Sequence, residues 1–267
     1  MNASASTNDN YTLITGASSG IGFELAKVFA RNSHNLILVA RSAAKLEELK
    51  NQIQSTHKVS IEVVAIDLSK TDSAEDLFKI TQSKSLSVDI LVNNAGFGDH
   101  GAFADSEIKK NQEMIDLNIL TLTKLTHLYL QPMLRKKSGK IMNVASTAAF
   151  QAGPLMSVYY ATKAYVLSFS EGLHEELQGT GVTVSALCPG ATASGFQVAA
   201  NLNNVPLLDH MKMATSLEVA EYGYKALMNE KVVAIHGIMN SLLVFSSRFA
   251  PRFVGRKVVK RLQEKRL

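Results

Sequence analysis

Cysteine is almost missing from this chain. Cys188 is the only one in 267 residues. That excludes an intrachain disulfide and a metal site built from several cysteines, and it makes a reducing cytoplasm the simplest expectation. Long apolar runs are missing too. The longest near the C-terminal end, Val232 to Phe245, is broken by His236, Asn240 and Ser241, short of the roughly 20 residues that a spanning helix needs. Residues 1–10 are polar, with no apolar stretch, no basic run and no arginine. They read as a flexible lead, and we expect neither a secretory signal nor a mitochondrial presequence.

Net charge is small over most of the chain and concentrated in one place. The net charge is +5, but residues 248–267 hold eight Lys/Arg against one Glu, a local +7, which leaves −2 for the rest. The body gives no reason to expect nucleic acid. In the tail, Arg248, Arg252, Arg256 and Lys260 alternate with Phe249, Phe253, Val254, Val258, Val259 and Leu262, which fits an amphipathic basic helix broken near Pro251. Such a helix can lie on an anionic membrane surface, so a peripheral membrane location is one expectation. It can equally cover a sheet edge or a subunit interface, or form a solvated face.

What is present is an alternation of strands and helices. Tyr11–Thr15 reads as a buried strand running into Gly16-Ala17-Ser18-Ser19-Gly20-Ile21-Gly22 and an apolar-periodic helix. Glycines permit a sharp turn, and the free N–H groups at a new helix start favour an anion such as a pyrophosphate. The spacing is Gly-x3-Gly-x-Gly, not the commoner Gly-x-Gly-x2-Gly. Strand Asn35–Ala40 follows, then a helix from about Ala43 to Ser55. In a dinucleotide fold an acid here would hold the 2′-hydroxyl of NAD. Positions 39 to 43 carry no acid and offer Arg41 instead, whose guanidinium pairs well with a phosphate, so NADP(H) is favoured over NAD(H). Glu47 and Glu48 are the nearest acids and argue the other way.

Strand Ile61–Ile66 ends at Asp67-Leu68; Asp67 suits either an adenine amino group or, with Ser69 or Thr71, a cap for the next helix. A helix from about Ser73 to Gln82 leads to strand Asp89–Val92 and Asn93-Asn94-Ala95-Gly96, whose amides can stitch neighbouring strands. A long helical segment, Ile108 to Lys136, contains Asn118, a poor mid-helix residue. Strand Lys140–Ala145 stops at Ser146, and a small-residue loop leads to a helix that opens Ser157-Val158-Tyr159-Tyr160-Ala161-Thr162-Lys163 and reaches Gln178. Residues four apart share a helix face, so Tyr159 and Lys163 point the same way, and an ammonium there lowers a phenol's pKa. Taken alone, the pair is better explained by an ordinary amphipathic helix with a surface lysine. Strand Val182–Leu187 ends at Cys188-Pro189-Gly190, Ala191 to Asp209 reads as an irregular lid-like segment, and helix Leu217–Met228 and strand Val232–Ile235 close the sheet. The expected fold is α/β, a Rossmann-like doubly wound parallel sheet of about seven strands with helices on both faces. Residues 11–247 form one dinucleotide-binding catalytic domain and 248–267 a basic tail.

Taken together, Thr15-Gly16-Ala17-Ser18-Ser19-Gly20-Ile21-Gly22, Asn93-Asn94-Ala95-Gly96, Asn118, Ser146, Tyr159 with Lys163, and Pro189-Gly190 resemble the short-chain dehydrogenase/reductase family, single-domain branch, from about Tyr11 to Ile235. Ser146 lies thirteen residues before Tyr159, a spacing common in that family, and Tyr159, not Tyr160, matches its Tyr-x3-Lys. The resemblance implies an oxidoreductase that moves a hydride between nicotinamide and a carbonyl or secondary alcohol. Tyr159 would be the general acid/base, Ser146 would orient the oxygen, and Lys163 would lower the Tyr159 pKa and hold the ribose. Asn118 would anchor a water. The cofactor would lie on Gly16, Ser18, Ser19, Gly20, Ile21, Gly22, Arg41, Asp67, Leu68, Asn94, Ala95 and Gly96, with Pro189, Gly190 and Ser194 at the nicotinamide. Phe97, Phe150, Met156, Phe196 and Met211 suggest an apolar substrate, and NADPH use favours carbonyl reduction. The family is commonly dimeric or tetrameric through the helices that carry Asn118 and Tyr159. No metal is implied, and His100, His174, His210 and His236 read as structural. The alternatives are an NAD-dependent hydroxysteroid or lipid alcohol dehydrogenase, and a dinucleotide-binding regulatory protein without turnover.

Overall fold

Leu36, Ile37, Leu38 and Val39 are all fully buried, yet alternate residues join different cores. Leu36 and Leu38 pack with Ile14, Phe29 and Leu227 on one face of the sheet, and Ile37 and Val39 with Leu13, Leu91 and Tyr129 on the other. A strand buried on both faces reads as an unbroken apolar run, the signature of a parallel sheet covered by helices. A computed structural model of the chain describes residues 10–202, 213–249 and 251–264. Seven parallel strands form the sheet: β1 (Asn10–Thr15), β2 (Asn35–Ala40), β3 (Ile61–Ala65), β4 (Ser87–Asn93), β5 (Gly139–Val144), β6 (Val182–Cys188) and, after the short pair β7 (Thr192–Ala193) and β8 (Ala214–Thr215), β9 (Val233–Ile235). Their order is β3-β2-β1-β4-β5-β6-β9. The chain leaves β1 in one direction and returns beyond it at β4, so the crevice at the strands' carboxyl ends opens between those two.

The helices are α1 (Gly20–Arg31), α2 (Ala43–Gln54), α3 (Ser73–Ser83), α4 (Ile108–Ile115), α5 (Leu122–Lys136), α6 (Ser157–Glu176), the short α7 (Phe196–Ala199), α8 (Ser216–Met228), α9 (Ile238–Ser247) and α10 (Arg252–Gln263). α8 starts on a capping box: Thr215 Oγ1 accepts from Glu218 N, and the Glu218 carboxylate accepts from Thr215 N, which satisfies two otherwise unpaired donors. α4 and α5 are one continuous helix, as expected for Ile108 to Lys136, but Asp116–Thr121 between them is wound as π-helix. Two features depart from the expectations. Neither Ser69 nor Thr71 caps α3; Asp72 occupies that place. α9 is a separate helix, where the sequence showed only an interrupted apolar run. No helix among the described residues is long and apolar enough to cross a membrane. Residues 1–9, His210 and Met211 lie outside the described residues.

Candidate active site

The cleft begins where β1 turns into α1. Gly16 and Gly20 adopt left-handed φ of 67° and 58°, which glycine reaches without strain. Ser19 stands at the start of α1 without capping it by its side chain, so the first N–H groups of the helix stay available to an anion. A Cβ on Gly22 would collide with the Gly16 carbonyl and the Asn94 amide. These residues therefore fit a pyrophosphate-bearing cofactor: the turn is tight, the backbone is bare and the donors are free.

Across the crevice, Thr15 Oγ1 donates to Val92 O and accepts from the backbone N–H groups of Asn94 and Ala95, both at 2.9 Å, while Asn94 Nδ2 donates to Thr15 O. Asn93 Nδ2 donates to Thr126 Oγ1 and to Asn143 Oδ1, and Asn143 Nδ2 in turn donates to Ser170 Oγ. The two amides do stitch the strand ends, and they fix the segment that leads to Gly96. A Cβ on Gly96 would sit 2.8 Å from Asn118 Oδ1 and 3.6 Å from Lys163 Nζ, so only glycine lets that backbone pass.

Asn118 lies in the π-helical turn and is buried. Its Oδ1 accepts from Phe97 N; its Nδ2 donates to Phe97 O at 2.9 Å and to Thr162 Oγ1 at 3.0 Å. Three residues on, Thr121 Oγ1 donates to Leu68 O at 2.8 Å. One irregular turn thus ties the β4 loop, α6 and the β3 loop together, a frequent use of π-bulges. Lys163, 7% exposed, donates from Nζ to Val144 O at 2.7 Å, and Nζ stands 5.9 Å from the Tyr159 ring centre. Burial pushes its pKa down to about 8. Ser146 closes β5, where Thr147 N donates to Pro189 O at 2.9 Å and locks the β5 and β6 ends together.

Burial pushes the Tyr159 hydroxyl well above the ordinary phenol range, and a hydrogen bond with Ser146 draws it part of the way back. The expectation that Lys163 lowers this pKa is not what dominates the protein alone. Desolvation of the phenolate sets the shift, with Tyr160 raising it further, and Lys163 is not among the groups that move it. Tyr160, next in the chain, points elsewhere: its hydroxyl accepts from Gln263 Nε2 at 2.6 Å.

At the far end of the cleft stand Arg41, Ser42 and Lys45. Ser42 caps α2 by accepting from Lys45 N, and Lys45 lines the cleft together with Arg41. Sequence reasoning missed Lys45, although Ser-x-x-Lys at a helix start was visible. Glu47 and Glu48 are not among the cleft residues; they engage Lys50 and Gln52 on their own helix. Asp67 Oδ1 accepts from Ser69 N and Ser69 Oγ. Partial burial works against this carboxylate, but the Ser69 bonds, Arg41 and Lys70 outweigh it and hold the pKa below its usual range.

The site residues gather at one cleft of about 1630 Å³. Of the candidate residues that the structure describes, all line it except Gly22 and Asn118, which pack against the lining residues Asn94 and Gly96. Phe97, Phe150, Met156 and Phe196 line the side near Tyr159, and Leu243, Val258 and Leu262 from the last two helices complete the mouth. The described histidines take structural contacts: His100 with Gln263 O, His174 with Val184 O, and His236 edge-on to Tyr222.

The short chain dehydrogenase family model matches residues 10–204. The chain is 31% identical over 258 residues to the very-long-chain 3-oxoacyl-CoA reductase of Rattus norvegicus, covering 93% of this chain and 78% of that protein. Among solved structures it is similar to a short-chain dehydrogenase from Sphingobium yanoikuyae in complex with NADPH (29% identity, TM-score 0.80, 90% of this chain and 94% of that one). It is also similar to a 7β-hydroxysteroid dehydrogenase (26% identity, TM-score 0.85, 94% and 96%). With a matching family model over most of its length, this sheet and this relative, the chain belongs to the short-chain dehydrogenase/reductase family.

Proposed function

We propose that this protein is an NADP(H)-dependent reductase of a bulky apolar carbonyl compound, working in reverse on the matching secondary alcohol. The observation that carries the reading is the convergence of Ser146, Tyr159 and Lys163 at one end of a cleft whose other end holds Arg41 and Lys45. When bound, a nicotinamide supplies the hydride that reaches the carbonyl carbon. Tyr159 gives its proton to the carbonyl oxygen, and Ser146 holds that oxygen by a hydrogen bond that strengthens as charge develops. Lys163 places a positive charge beside Tyr159 and favours loss of the tyrosine proton at that moment. Asn118 keeps α6 and the Phe97 segment in register so that Tyr159 and Lys163 hold their distance. Arg41 and Lys45 offer two cations to a 2′-phosphate where an NAD enzyme would need a carboxylate.

The apolar wall of Phe97, Phe150, Met156 and Phe196 supports a large apolar substrate, as do the acyl and steroid chemistries named for the two relatives. Exposed Ile108, Ile115, Leu120 and Tyr165 on the helices carrying Asn118 and Tyr159 support a homodimer or homotetramer. The test is a panel of long-chain 3-oxoacyl thioesters, steroid ketones and small aldehydes with NADPH and NADH. Turnover of a bulky ketone with NADPH supports the reading. Turnover confined to an alcohol with NAD⁺ supports the dehydrogenase alternative, and tight cofactor binding with no turnover supports a regulatory role.

A further inference from the structure

Ten of the sixteen large apolar side chains exposed among the described residues fall between Ile238 and Leu262. α9 carries no charged residue, and only Val244 of its side chains is buried; Ile238 is 83% exposed and Phe245 60%. The turn after it adds Phe249, 75% exposed. α10 is divided into three sectors. Val259 and Gln263, four apart, turn inward. Val254, Val258 and Leu262, also four apart, form an exposed apolar stripe. Arg256 with Lys260 and Lys257 with Arg261 form a basic stripe. Of the cations from Arg248 to Arg261, only Lys260 has an acidic partner among the described residues, Glu264. Exposed apolar side chains concentrated in this way on two successive helices mark a surface that meets another apolar phase.

We propose that α9 and α10 dock this protein on an anionic lipid bilayer, lying in the interfacial plane with the cleft mouth facing the membrane. Charge selects the occupant. A second copy of the chain would bring a like-charged basic stripe against this one, whereas acidic headgroups neutralise it while the acyl boundary takes up Phe245, Phe249 and the Val254 stripe. The orientation follows from contacts already described. Gln263 is pinned to Tyr160 and His100, which fixes α10 over the cleft, and Leu243, Val258 and Leu262 belong to both the exposed face and the cleft mouth. An apolar ligand could then pass from bilayer to cleft without crossing water.

The experiment is co-sedimentation of the full chain with vesicles of phosphatidylcholine alone and of phosphatidylcholine mixed equally with phosphatidylglycerol, at low and high salt. Binding is expected only with the mixed vesicles, weaker at high salt. Arg256→Glu with Lys257→Glu should reduce it by roughly thirtyfold or more, at about one kcal/mol for each basic residue near the surface, and Phe245→Ser with Phe249→Ser should abolish it. NADPH binding and circular dichroism check that both double variants fold. If no vesicle binds the wild type, or both variants bind like it, the proposal fails. It also fails if Phe245→Ser with Phe249→Ser converts a dimer to a monomer in sedimentation velocity without changing vesicle binding, since the patch is then a subunit interface.

Discussion

Gln263 Nε2 donates to the Tyr160 hydroxyl at 2.6 Å, and this bond separates the tasks of two adjacent tyrosines. Tyr159 faces Ser146; Tyr160, 8% exposed, holds the C-terminal helix over the cleft. Gln263 Oε1 is buried without a hydrogen-bond partner among the described residues, so the acceptor end of the amide is unused. Tyr160→Phe and Gln263→Ala should each destabilise the fold by about 1–3 kcal/mol, the cost of stranding a buried polar partner. They should raise KM for a bulky ketone several-fold and leave kcat near wild type. Urea unfolding and steady-state kinetics check both. A large loss of kcat in Tyr160→Phe would contradict the division of tasks.

The proposed preference for NADP(H) rests on Arg41. Losing a charge-assisted hydrogen bond costs about 1.5–3 kcal/mol, so Arg41→Ala should weaken NADPH binding by about tenfold to a hundredfold and barely change NADH binding. Lys45→Ala should show a smaller effect of the same sign. Fluorescence titration with both nucleotides measures the ratio. A parallel loss for NADH would mean that Arg41 does not read the phosphate.

Gly22→Ala tests the bare backbone of the phosphate turn. The new methyl would press on the Gly16 carbonyl and the Asn94 amide. Overpacking of this kind costs about 1–3 kcal/mol, and the turn that yields is the one expected to hold the pyrophosphate. Lower stability together with weaker binding of both nucleotides is expected; unchanged values in thermal unfolding and titration would count against the turn as the binding site.

Lys163 sets a pH signature. Its pKa is near 8 in the folded chain against 10.5 for a free lysine. Between those values the unfolded chain holds a proton that the folded chain has released, so this residue's contribution to stability rises with pH. Lys163→Met should therefore flatten the stability curve between about pH 8 and 10.5 relative to wild type. Activity runs the other way. The ammonium beside Tyr159 is lost above about 8, so kcat/KM for reduction should fall there, and Lys163→Arg, which stays charged, should lose that limb.

The central strands were legible because they are buried on both faces, so that Leu36–Val39 or Ile90–Val92 stands out without any period, whereas the edge strands β3 and β9 are only partly buried. The glycine turn and Ser146 were legible because each falls at a strand's carboxyl end; helical spacing pairs a tyrosine with Lys163, but the choice of Tyr159 over Tyr160 rests on the family resemblance. The π-helical turn was not legible, because its geometry coincides with bonds from Asn118 to Phe97 and Thr162, 21 and 44 residues away. Asp67 admitted two roles in sequence; in the fold one oxygen is committed to Ser69. α9 was hidden for a different reason: apolar residues on nearly every side leave no helical period to detect. Gln263 carries no local signal at all, since its partner lies 103 residues earlier.

The central claim is that Tyr159 delivers the proton. Single-turnover oxidation of bound NADPH by a bulky ketone measures this directly, in wild type, Tyr159→Phe and Tyr160→Phe, with NADPH affinity determined for each. Tyr159→Phe should bind NADPH normally and oxidise it about a hundred- to ten-thousandfold more slowly, while Tyr160→Phe should react at nearly the wild-type rate. Wild-type oxidation in Tyr159→Phe, with loss in Tyr160→Phe, would contradict it.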